Sequence, residues 1–300
     1  MSKIFDYFVG IDWSGAKGSS HKGIAIALSS NNTNTIEIVR PKTKYWSRQG
    51  VLDYIINLAS ENVILVGIDF AFSYPFKDKE TFFSNLNVNS PKSSEELWKF
   101  IDLKNQGQED LYGGAIWKDK IFGEFYNSPI KRGKFFESRR RLTEIFAKKI
   151  RSPSPTFNCV GPAGVGTGSL AGMRLLHKIK TKFKKKIHIW PFDPYKNLES
   201  SQIVLAEIFP SYYFHFAGES SINKKGREEI LLLKTLDFYN QKFSSKLSVG
   251  NNDNDDMDAI VSCAALKYFV KNQIGFTNPF RKKSWINFKH DKITRSNFYC

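Results

Sequence analysis

The chain has 300 residues, 41% of them hydrophobic, with 45 Lys and Arg against 29 Asp and Glu for a formal net charge of +16. That length makes one large domain or two small ones with ample apolar content for a core, and no apolar run approaches the roughly 20 residues of a membrane span. Three scattered cysteines and five scattered histidines speak against a disulfide framework and a zinc cage, and fit a reducing compartment. The N-terminus enters a strand directly, with no signal-peptide pattern, so a cytoplasmic location is the expectation.

The first stretch, Phe8-Val9-Gly10-Ile11-Asp12-Trp13-Ser14-Gly15, reads as a buried strand (about 5–13) ending in an Asp and a small-residue turn. A carboxylate at the tip of a buried strand is costly unless something pairs with it. Gly23 to Leu28 and Thr35 to Arg40 continue as a hairpin meander. Gln49 to Ser60 carries a helical apolar stripe, Val51, Leu52, Ile55, Ile56 and Ala59. Val63 to Phe70 is then a strand in which Val66-Gly67-Ile68-Asp69-Phe70 repeats the first motif. Alternate strand residues share a face, so Gly10 leaves space beside Asp12, and Gly67 beside Asp69. Side by side and parallel, the two strands would hold two carboxylates near one point, which suits a divalent cation.

Residues from about 74 to 160 depart from this rhythm and read as an insertion or cap. It holds a short helix at Ser93 to Lys104, an aromatic-rich loop after Gly113, and a basic helix from Lys134 to Ile150. Arg139, Arg140, Arg141, Lys148 and Lys149 cluster there, and Lys178 to Lys186 and Arg281-Lys282-Lys283 form two further basic runs. A field of that sign attracts polyanions. Lysine-rich solvated faces are the bland explanation, but the clustering tips the expectation towards nucleic acid.

The stretch Gly161 to Gly172 feeds a helix from about Ser169 to Thr181, and a glycine-rich turn there offers backbone N–H groups to an anion. Gly166, Thr167, Gly168 and Ser169 are therefore candidates for phosphate contact, as are Ser14, Lys17 and Ser73 beside the strand-end acids. Tight packing of that helix on the sheet is the competing explanation of the glycines and stands slightly ahead. It is not a Walker loop.

Ile187 to Phe192 and Gln202 to Phe209 read as strands, the second with Glu207 in an apolar setting that calls for a partner. Lys225 to Phe243 is a helix, and a last helix runs from about Asp255 to Lys271. On it Asp255, Asp258, Ser262 and Ala265 share one face, flanked by the small residues Ala259, Cys263 and Ala264. A face of small residues can press closely on a sheet. Asp256 is accounted for by helix capping. Asp258, inside the helix, is a candidate ligand.

Taken together, Gly10-Ile11-Asp12-Trp13-Ser14-Gly15, Gly67-Ile68-Asp69-Phe70-Ala71-Phe72-Ser73, Gly164 to Gly172, Ile189-Trp190-Pro191-Phe192, Ala206-Glu207-Ile208-Phe209-Pro210 and Asp255-Asp256-Met257-Asp258-Ala259 resemble domain-of-unknown-function family 429. Its members are viewed as predicted nucleases of the RNase H-like superfamily. The resemblance implies one α/β domain over 1–300, with an RNase H-like fold and a mixed five-stranded sheet flanked by helices. The basic insertion and a tail from about 275 to 300 match nothing in it. It further implies a metal-dependent phosphodiesterase site in which Asp12, Asp69, Glu207 and Asp258 are catalytic. With Asp255 added, these acids would hold two Mg²⁺ or Mn²⁺ ions, which prefer oxygen ligands, about 4 Å apart. DNA, RNA and hybrid substrates stay open, as does the oligomeric state. Two other readings share the pattern: a catalytically silent nucleic-acid-binding or scaffold protein of the same fold, and an actin-like phosphotransferase. The second needs a duplicated unit that the chain is too short to hold.

Overall fold

A computed structural model describes residues 4–84, 89–148, 150–161, 164–221, 228–244 and 253–272. The elements in chain order are β1 (Tyr7–Asp12), β2 (Ala25–Ser30), β3 (Thr35–Val39), α1 (Arg48–Leu58), β4 (Ile64–Ile68), α2 (Ser94–Lys104), α3 (Leu142–Ala147) and α4 (Val165–Phe183). They continue as β5 (Ile187–Trp190), β6 (Ile203–Glu207), α5 (Pro210–Phe216), α6 (Glu228–Phe238), β7 (Lys242–Phe243) and α7 (Asp253–Lys271). The protein is α/β, with a mixed sheet flanked by helices. The sheet order is β5-β6-β4-β1-β2-β3-β7. β1, β2 and β3 run antiparallel as the expected meander, while β4 lies parallel to β1 with Gly10 opposite Gly67 and Ile11 opposite Ile68. The twin motifs are therefore neighbours in register. Among the described residues no helix is long and apolar enough to cross a membrane.

The sheet has seven strands where five are expected. β6 occupies the place beside β4, β5 extends the sheet beyond it, and the two-residue β7 pairs with the far edge at β3.

Strand alternation divides the core in two. Val9 and Ile11, Val66 and Ile68, and Ile203 and Leu205 face α1 and α4 (Val51, Leu52, Ile55, Leu170, Met173, Leu176). Phe8, Leu65, Val204 and Ala206 face α7 (Met257, Ile260, Val261, Cys263, Ala264). The aromatic residues of the long segment between β4 and α4, among them Tyr74, Phe83, Trp98, Tyr126 and Phe157, continue the first of these cores.

Three helices depart from the expected bounds. The basic helix over 134–150 shrinks to α3, because the chain before it is tied elsewhere. The Phe135 N–H donates to the Glu124 carbonyl at 2.9 Å, and the buried Arg139 guanidinium donates to the Pro75, Thr81 and Phe82 carbonyls. The expected helix over 225–243 ends at Phe238, since Asn240 takes a left-handed conformation (φ 54°) that closes a helix; residues 225–227 lie outside the described residues. α4 begins four residues early, at Val165, with its glycines inside the helix. Gly172 abuts the Phe70 ring and Gly15 abuts the backbone of Thr167 and Gly168. Glycine serves close packing there, and that gain outweighs its poor helix propensity.

The tightest contact in the fold is between α7 and β1. A Cβ on Gly10 would collide with the Ala259 carbonyl oxygen and stand 2.6 Å from the Cys263 nitrogen. The Cys263 thiol reaches the Phe8 carbonyl oxygen at 3.2 Å. At the other end of α7 the buried Lys267 ammonium donates to the Ser29 hydroxyl at 3.0 Å, the Ser30 carbonyl at 2.6 Å and the Thr33 carbonyl. Gly10→Ala is therefore expected to lower unfolding free energy by about 1–3 kcal/mol or more, the usual range for overpacking. Gly168→Ala, whose added methyl meets nothing closer than 3.7 Å, should raise it by up to about 1 kcal/mol. Denaturant unfolding of the two variants checks this, and a neutral Gly10→Ala would contradict the packing.

Candidate acidic site

Where β1 ends, the alternation that points Phe8 and Gly10 at α7 points Asp12 the same way. β4 repeats the arrangement. Leu65 and Gly67 face α7, and Asp69 follows them, its N–H donating to the Ile11 carbonyl at 3.0 Å. Asp255 and Asp258, one turn apart near the start of α7, approach from above. All four acids are half-buried. Asp12 is the centre of the group. Burial pushes its carboxyl well above the ordinary range, and the charges of Asp258, Asp69 and Asp255 push it further, against a hydrogen bond from the Trp13 N–H at 2.9 Å. Gly23 and Ser14 border the same space, for a Cβ on Gly23 would stand 3.7 Å from the Asp255 Oδ2 and from the Ser14 hydroxyl.

Four carboxylates form a hard-oxygen donor set of the kind Mg²⁺ or Mn²⁺ takes. Among the described residues, however, no group of three or more His, Cys, Asp or Glu is gathered closely enough to hold a metal ion. The acids share one electrostatic neighbourhood without forming a ready cage.

Glu207 stands apart from them. Ile203, Leu205 and Glu207 alternate onto the face of α1 and α4, opposite to Asp12 and Asp69. There the carboxylate accepts two bonds from the Arg141 guanidinium, both at 2.6 Å, and one from the Phe72 N–H at 2.9 Å. Burial pushes the Glu207 carboxyl up, and Arg141 and the Phe72 N–H oppose that push. Arg141 also holds Glu144 at 2.9 Å. Breaking such a buried pair from one side costs about 3–5 kcal/mol, so this contact fastens the basic segment to the sheet.

The phosphate-contact candidates divide in the same manner. Arg139 is buried and spends its donors on Asp78 and three carbonyls, and Arg141 is taken by Glu207 and Glu144. Both are parts of the frame. Arg140 is half-buried, its Nε donating to the Pro153 carbonyl at 3.3 Å, and Lys148 is exposed. Lys149 and Arg281-Lys282-Lys283 lie outside the described residues, as does the tail over 275–300. Gly166 is buried with its N–H given to the Asn158 carbonyl, and Ser169 is buried with its hydroxyl on the Val165 carbonyl at 2.9 Å. Thr167 turns its hydroxyl to the Cys159 carbonyl, and the Gly168 carbonyl accepts from the Trp13 indole at 3.1 Å. That stretch packs a helix against the β1 turn. Ser73 is buried, whereas Ser14 is half-buried and borders the acids, and Lys17 is exposed.

Sequence reading missed what holds the turn after Asp12. The fully buried Arg48 donates to the Ser14 carbonyl at 2.8 Å, the Ala16 carbonyl at 2.5 Å and the Asp110 carbonyl at 2.7 Å. Asp110 accepts from the N–H groups of Arg48 and Gln49 and meets the His21 ring nitrogen at 2.8 Å. Burial works against its ionisation, yet these bonds hold its carboxyl below the ordinary range.

No family model, curated protein or solved structure matches the chain.

The raised Asp12 carboxyl has a consequence for stability. The folded protein keeps that proton at pH values where the unfolded chain has released it, so stability falls as pH rises through the raised value. Asp12→Asn removes the effect. In EDTA the variant should melt no earlier than wild type at neutral pH, and its advantage should shrink as pH falls to the ordinary carboxylate range. Thermal melts across pH test this; a wild type that gains on the variant with rising pH would contradict it.

Proposed function

We propose that the protein is a Mg²⁺- or Mn²⁺-dependent nuclease with an RNase H-like arrangement of its sheet, hydrolysing phosphodiester bonds of nucleic acid. The observation that carries this reading is that Asp12 and Asp69, from adjacent parallel strands, share one electrostatic neighbourhood with Asp255 and Asp258 from a helix packed on Gly10. The order β3-β2-β1-β4-β6, antiparallel then parallel, supports the same reading, and so does the net charge of +16.

In this account Asp12 is the central ligand, Asp69 lies beside it, and Asp255 and Asp258 complete the set from α7. Bound there, a pair of divalent ions would supply an activated water and charge stabilisation for the leaving oxygen. The carboxylates' own part is to hold position. The turn Ser14–Ala16, fixed by Arg48, keeps the rim of the site open, and Lys17 and Ser14 would meet the phosphate. Glu207 serves the frame and is not assigned to the ligands.

A second reading, a catalytically silent nucleic-acid-binding protein on the same scaffold, is favoured by one observation: the absence among the described residues of a gathered metal cage. Activity assays decide between them. Wild type and Asp12→Asn are incubated with labelled single-stranded, duplex, hybrid and branched substrates in Mn²⁺, with EDTA controls. Cleavage by wild type alone, abolished by EDTA, is the expected outcome. Cleavage that survives the substitution or the chelator would sink the proposal, and no cleavage with no metal binding would favour the silent reading.

A further inference from the structure

On the α1 and α4 side of the sheet, across the Ser14–Ala16 turn from the acids, lies an open cleft of about 430 Å³. Ser19, Ser47 and Gln49, Gln108, Asp110 and Leu111, and Arg174 and Lys178 line it. Arg174 and Lys178 stand one helical turn apart on α4 and so present to one side. Arg174 is 4% exposed, and its guanidinium is locked from behind. Nε donates to Asp102 at 2.9 Å and Nη1 to the Tyr112 carbonyl at 2.8 Å. Its Nη2 has no protein acceptor among the described residues. The side chains of Ser19, Gln108 and Lys178 likewise make no hydrogen bond or ion pair among the described residues.

Donors therefore outnumber acceptors in this cleft. Asp110 is the one acid in the lining, and its carboxylate is already engaged by two backbone N–H groups and His21. Behind it the buried Arg48 adds a second guanidinium. A fixed guanidinium edge, a free ammonium, a hydroxyl and an amide around one space form an oxyanion receptor, because charge-assisted bonds to phosphate oxygens are the strong ones. A backbone carbonyl or a neutral sugar would leave the Lys178 ammonium without a counter-charge and the free edge of Arg174 without an anionic acceptor.

We propose that this cleft binds a phosphate group, held by Arg174 and Lys178 with Ser19 and Gln108. The group can come from a free nucleotide or from a nucleic-acid backbone. The proposal does not rest on the acidic site, which occupies the other face of the sheet and uses none of these residues.

The test is calorimetric titration of the full chain, in EDTA, with inorganic phosphate, a mononucleotide and a short single-stranded oligonucleotide. Saturable binding is expected for at least one of the three. Lys178→Glu is exposed and should fold normally, checked by its melting curve, and should weaken that binding about tenfold or more, as loss of a charge-assisted bond does. Arg174→Lys should weaken it as well, since an ammonium cannot keep both inner bonds and face the cleft. A mononucleotide that binds as tightly as the oligonucleotide supports a free-nucleotide source, and binding by the oligonucleotide alone supports a backbone phosphate. Absence of saturable binding by all three probes, or binding that both cleft variants leave unchanged, would overturn the proposal. Failure here leaves the nuclease assay untouched, and an inactive nuclease leaves this titration interpretable.

Discussion

The close approach of α7 to β1 at Gly10 is the constraint on which the rest depends. A strand residue without a Cβ lets a helix backbone settle against the sheet, with the Ala259 carbonyl and the Cys263 nitrogen where a side chain would otherwise sit. Asp258 immediately precedes that contact and Asp12 lies two residues beyond Gly10. The packing therefore fixes the separation between acids that come from the two ends of the chain. Like charges so placed cost stability, and the fold tolerates them because α7 is secured elsewhere. Cys263 and Lys267 bond it to β1 and to the β2–β3 turn, and Asp256 takes Arg40 at 3.0 and 2.5 Å.

Buried charges on the opposite face do a different job. Arg48 and Asp110 immobilise the turn that follows Asp12, and Arg141 and Glu207 clamp the basic segment to the end of β6. Each group is costly to bury alone and affordable only with several hydrogen bonds. The two networks hold loops, whereas on the α7 face the charges of Asp258, Asp69 and Asp255 all oppose the ionisation of Asp12. That asymmetry distinguishes a frame from a site. A protein gains nothing structural by keeping Asp12 where burial and three neighbouring charges oppose its ionisation.

Much of this was legible in the residues. The repeated Gly-Ile-Asp motif announced two neighbouring strands, the glycines announced a close helix, and the spacing of Asp255 and Asp258 announced a shared face. Glu207 shows the limit. Its apolar neighbours marked a strand and a needed partner, but which face it took depended on the register of β6 against β4, and no local pattern encodes that. The glycines of α4 read as a loop because their reason is tertiary, the contacts with Gly15 and Phe70. Asp110 carried no signal, since its partners lie about 60 to 90 residues away in sequence. The basic cluster was read as a nucleic-acid contact from its charge alone, whereas two of its arginines, Arg139 and Arg141, are committed to internal carboxylates and carbonyls.

The most direct test of the central claim is an NMR titration of the Asp side-chain carboxyl carbons in metal-free protein, wild type against Asp258→Asn. If α7 places its acids beside Asp12, the Asp12 carboxyl titrates well above the ordinary aspartate range in wild type and moves down when the Asp258 charge is removed. An Asp12 that titrates in the ordinary range, or whose midpoint ignores the loss of Asp258, would contradict the account.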